Sequence, residues 1–85
     1  MGIVFDAAKD TANRKKHGIS LARASDLEAV DYIDDSYGRD EPRYILIGYI
    51  DGRLHVLVAV DRGDDQRVIS LRKATRQEVK RYEQD

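Results

Sequence analysis

The chain has 85 residues and a formal charge of −1, from 15 Lys and Arg against 16 Asp and Glu. That length supports one modest core, and the lack of cysteine excludes disulfide scaffolds, thiol catalysis and Cys-based zinc sites. Two histidines 38 positions apart make a His-based metal site unexpected, apolar runs fall short of the roughly 18–20 residues of a membrane span, and no apolar N-terminal stretch reads as a signal peptide.

Gly2–Phe5 reads as a short strand, after which Asp6 caps a helix over Ala7–Lys16 that ends at Gly18. Ser20 caps a second helix, about Leu21–Val30, with Leu21, Ala24, Leu27 and Val30 on one side. Asp31–Pro42 is acidic and reads as a loop or a loosely held edge strand. Arg43–Ile50 and Arg53–Val60 are β-rich runs joined by Asp51-Gly52, the dipeptide of a type I′ hairpin. A turn at Asp61–Asp65 leads to a third meander strand, Gln66–Arg72, and Thr75 opens a last helix, Arg76–Gln84, through the capping box Thr75…Glu78. The order β-α-α-β-β-β-α predicts a single α+β domain over residues 1–85, an antiparallel strand meander with helices packed on it.

The near-zero charge hides a segregation. Residues 1–23 balance at +3, 24–42 at −6 and 43–85 at +2. Within the last part, residues 66–82 hold six bases and only one acid, Glu78. Arg72, Lys73, Arg76, Lys80 and Arg81 form a basic cluster suited to phosphate, since guanidinium groups bind it bidentately. A basic helix end complementing its own dipole accounts for Lys80 and Arg81, but not for Arg72 and Lys73, which precede the helix. Strand alternation puts Arg67, Ile69 and Leu71 on the core face and Val68, Ser70 and Arg72 on the open one. Arg43 is in phase with Ile45 and Ile47. Lys16-His17-Gly18 is a second polar concentration, in which His17 suits proton transfer but equally suits a helix end. His55 alternates with apolar neighbours and reads as packed. Glu78 is explained by the capping box.

Three runs carry a family likeness: Phe5-Asp6-Ala7-Ala8-Lys9 with Asn13 and Lys16-His17-Gly18-Ile19-Ser20; Glu41-Pro42-Arg43-Tyr44 with Gly48; and Arg67 through Thr75 with Glu78 and Tyr82. In order and spacing they resemble the BrnT toxins across nearly the whole chain. Two positions depart: Phe5 stands where the family usually has Trp, and Leu71 where a smaller residue is common. The resemblance implies a RelE-like fold, no cofactor, and RNA cleavage without a metal that inhibits translation and growth. It also implies a cytoplasmic location, with neutralisation by a BrnA-like antitoxin that can carry the pair onto operator DNA. By the same resemblance, His17, Arg67, Arg72, Tyr82 and Arg43 are the catalytic candidates. Arg72 and Arg67 would hold the scissile phosphate, and His17 or Tyr82 would assist proton transfer. Lys16, Lys73, Arg76 and Lys80 would contact the RNA backbone. The competing expectation is a non-catalytic module that only holds an antitoxin or RNA.

Overall fold

Residues 2–83 are described by a computed structural model. The elements are β1 (Ile3–Val4), α1 (Ala7–His17), a 3-10 turn (Leu21–Asp26), β2 (Glu28–Asp34), β3 (Arg43–Ile50), β4 (Arg53–Arg62), β5 (Asp65–Lys73) and α2 (Arg76–Tyr82). The strands form one sheet in the order β1-β5-β4-β3-β2, antiparallel except for the short β1–β5 pair. No helix among the described residues is long and apolar enough to cross a membrane.

Local chemistry sets the element ends. Asp6 accepts the Ala8 N–H, and Gly18 closes α1 at a φ of 73°, a left-handed value glycine adopts without a Cβ penalty. Asp51 and Gly52, at φ 52° and 76°, make the β3–β4 turn. Thr75 and Glu78 form the full capping box of α2. The expected last helix residue, Gln84, lies outside the described residues.

The expected second helix is where the chain departs from its sequence pattern. Only Leu21–Asp26 turns, as a 3-10 segment, and from Glu28 the chain becomes an edge strand. The Ser20 cap is present, and Asp10 Oδ1 also accepts from Ser20 Oγ (2.9 Å) and Leu21 N–H (2.7 Å). Beyond it, Val30, Tyr32 and Ile33 favour extended backbone, and Tyr32 and Ile33 pair with Leu46 and Ile45 of β3. At Val30 a bulge interrupts the register, with Ala29 opposite Gly48 and Asp31 opposite Ile47. Gly48 is required there, because a Cβ would collide with the Glu28 carbonyl.

Two apolar clusters occupy opposite faces of the sheet. On one face, Leu21 and Ala24 pack on Tyr44, Leu57, Ala59, Val68 and Leu71, with Phe5 partly buried beside them. On the other, Val79 and Tyr82 of α2 pack on Ile47, Leu54 and Val56. Helix α1 lies along β5 beyond the end of β1. There the buried Asn13 stands in for a missing strand: its Nδ2 donates to the Leu71 carbonyl (2.8 Å) and to Ile19 O (2.9 Å), while its Oδ1 accepts the Leu71 N–H (3.2 Å).

Candidate active site

The face covered by α2 is only partly closed. Ladder partners lie on the same side of an antiparallel sheet, so its rows can be read from the register. Arg43, Val60 and Arg67 form one row across β3, β4 and β5; Ile45, Val58 and Ser70 lie in the next; Ile47, Val56 and Arg72 lie beyond, under α2. Val60 and Val56 are four residues apart, so the outer rows stand about 13 Å apart along the strands. The result is an apolar floor with arginines at both ends.

This arrangement corrects the strand parity expected for β5. Val58 faces Ser70 and Ala59 faces Val68, so Ile69 is the extra residue of a bulge. Val68 and Leu71 therefore both enter the core, while Arg67, Ser70 and Arg72 share the open face. Arg67 does not share the face of Leu71.

Three of the candidate groups are held by carboxylates. Arg72 forks onto Glu78, with Nη1–Oε1 at 2.8 Å and Nη2–Oε2 at 3.0 Å, and Glu78 Oε1 also accepts the Thr75 N–H at 2.7 Å. These bonds, Arg72 first, lower the Glu78 carboxyl to a pKa of about 2 and raise that of Arg72. The Tyr82 hydroxyl donates to Asp31 Oδ2 at 2.6 Å, which raises the phenol pKa. Arg43 Nε donates to Asp35 at 3.0 Å, where Arg39 also pairs at 3.2 Å. Arg67 makes no ion pair among the described residues. Beyond the Arg43 end, Gly38–Glu41, Arg43, Val60 and Ile69 line a cleft of about 480 Å³. A larger cavity, about 920 Å³, lies at the β4–β5 turn among Asp61, Asp64 and Asp65, whose charge repels phosphate.

His17 and Lys16 end α1, which packs against β5 and the 3-10 turn, and no hydrogen bond or ion pair among the described residues joins them to the arginines. Lys73 is exposed at the end of β5, and Arg76 and Lys80 are exposed on α2. His55 is packed as expected, 4% exposed, with its Nδ1 2.7 Å from the Arg53 carbonyl. Glu78, Asp31 and Asp35 are the members of the arrangement that the sequence reading left out. For Glu78 the signal was present, as the one acid in a basic run beside Arg72; the other two reach their partners through the tertiary fold.

The family described as "Ribonuclease toxin, BrnT, of type II toxin-antitoxin system" matches residues 5–78. The chain belongs to the BrnT family. Among solved structures, the Brucella abortus ribonuclease toxin BrnT is similar at a TM-score of 0.67 and 23% identity, covering 89% of this chain and 99% of that one. At that identity the likeness is one of fold, and it bears out the α+β architecture. No curated protein matches the chain. The BrnT match spans all three arginines and Glu78 and ends before Tyr82.

Proposed function

We propose that this chain is an endoribonuclease toxin that cuts RNA through the RNA's own 2′-hydroxyl, without a metal. Its action would inhibit translation and growth, and a BrnA-like antitoxin would hold it in check and carry the pair onto operator DNA. The observation that carries the reading is the half-open sheet face, an apolar floor with Arg43 and Arg67 at one end and Arg72 at the other. In this reading the phosphate sits over the middle row, Val58 and Ser70, within reach of arginines from the row on either side. Fixed positive charge in a partly dry cleft stabilises the extra charge of a pentacovalent phosphate more than that of the substrate.

In this reading the 2′-hydroxyl gives its proton to solvent, the 2′-oxygen bonds to phosphorus, and the P–O5′ bond breaks, the 5′-oxygen taking up a proton. Arg67 is the anchor, having no carboxylate among the described residues to compete with the phosphate, and Arg72 is held in place by its fork to Glu78. Glu78, at a pKa of about 2, is too weak a base to take the 2′ proton. Tyr82, kept protonated beside Asp31, is a donor and supplies the proton to the leaving oxygen. His17, which no hydrogen bond or ion pair among the described residues joins to the arginines, is not part of the proposed set. Lys16, Lys73, Arg76 and Lys80 are proposed to steer the RNA backbone from the rim.

The carboxylate partners of Arg43, Arg72 and Tyr82 favour a second reading, a module that holds an antitoxin or RNA without cutting it. Purified protein incubated with RNA separates the two. The toxin reading expects fragments ending in 2′,3′-cyclic phosphate and 5′-hydroxyl; intact RNA supports the binding module, and 5′-phosphate ends exclude the proposed chemistry.

A further inference from the structure

We infer that the outer edge of β2 is a docking site for a cationic, extended segment of the antitoxin, which joins the sheet as a further strand. Strand β2 ends the sheet, so among the described residues one side of its backbone has no neighbouring strand. Large apolar side chains stand on it in solvent: Val30 is 55% exposed, Tyr32 61% and Ile33 39%. Tyr32 and Ile33 occupy opposite faces, in the rows of Leu46 and Ile45 respectively. A strand laid beside β2 therefore finds apolar surface above and below the sheet.

Charge selects the occupant. Glu28, Asp31 and Asp34 lie on the strand, and Asp35, Asp40 and Glu41 follow it, with Arg39 the one base among them. A second copy pairing β2 to β2 would set these acids against their like, which destabilises cross-strand pairs. RNA is repelled by the same charges. A segment carrying Lys or Arg among β-branched residues gains the ladder, the apolar contacts and the ion pairs together. Asp31 and Asp35 already hold Tyr82 and Arg43, so an occupant of this edge lies beside the proposed site. That the partner is an antitoxin rests on the proposed function; strand addition is testable apart from it.

The chain has no Trp, so a short peptide of alternating Lys and Val carrying one Trp reports its own binding by fluorescence. The expected result is saturable binding that slows amide exchange across Glu28–Asp34, with no binding by the matching Glu/Val peptide. Glu28→Lys with Val30→Lys, and separately Ile33→Lys, should weaken binding by about tenfold or more, a loss of about 1.4 kcal/mol, in protein that still melts cooperatively and still cuts RNA. Absence of binding, protection outside β2, equal binding of both peptides, or a β2-linked homodimer overturns the inference. RNA cleavage assayed on the same preparations keeps the two readings apart. Protection without cleavage sinks the toxin and leaves the edge, while cleavage without peptide binding does the reverse.

Discussion

The two faces of the sheet are cut from alternate residues of the same strands, yet they are built to different ends. On the face of the 3-10 turn, Leu21, Leu57, Ala59 and Leu71 are essentially sealed and pack as one cluster. On the other, the cluster under α2 is centred on Ile47, Leu54 and Val56, and the rows beyond it carry arginines over a thinner apolar floor. The closed face holds the molecule together, which leaves the other free to bear side chains that do not pack. Two bulges serve this division. The one at Ile69 brings Arg67 to the open face while keeping Val68 in the core, and the one at Val30 brings Asp31 under Tyr82.

The division is sharpest where substitutions separate stability from activity. Leu57→Ala on the closed face should cost about 2–5 kcal/mol, the range for truncating a buried leucine, read as a lowered denaturation midpoint. Arg67→Ala on the open face should leave stability within about 0.5 kcal/mol. Its rate of RNA cleavage should fall by about 10²–10³-fold, as for loss of one charge-stabilising group. Equal stability losses in the two variants would break the comparison. Asn13→Ala, which strips the Leu71 backbone of both edge bonds, should cost about 1–3 kcal/mol and raise amide exchange at Leu71 first.

The smallest effect concerns acid. The folded pKa of Glu78, about 2, lies below its ordinary value of 4.5. The contribution of its pair with Arg72 is therefore fully present above about pH 4.5 and is lost as the pH falls from there toward 2. Allowing for solvent screening, that loss is about 1 kcal/mol. Denaturation curves of wild type and Glu78→Gln should therefore converge as the pH is lowered across that window. Curves that stay parallel would mean the fork contributes nothing net.

Much of the fold was legible because its signals are local. Asp51-Gly52, the Asp6 cap, Gly18 and the Thr75…Glu78 capping box each act within a few residues, and each is in place. The stretch Leu21–Val30 misled because its apolar spacing fits a helix, while the competing strand is stabilised by β3, which lies beyond the acidic segment. The parity of Arg67 misled because a bulge is decided by the partner strand. Of the candidate site, Arg43, Arg67, Arg72 and Tyr82 could be named from residue type and family likeness. The partners Asp35, Asp31 and Glu78 lie 8, 51 and 6 positions from the groups they hold, and what joins each pair is the path of the backbone.

The sequence by itself determined an α+β architecture, its hairpin and caps, and a charge that is segregated rather than neutral. Only the tertiary structure decided what that segregation does. The acidic middle becomes an edge strand that reaches across to Tyr82 and Arg43, and the basic end is divided between a carboxylate-held Arg72 and an Arg67 with no ion pair among the described residues. The physical reason is that turns and caps are set by neighbours in the chain, whereas register, bulges and ion pairs are set by whichever strand or helix packs alongside.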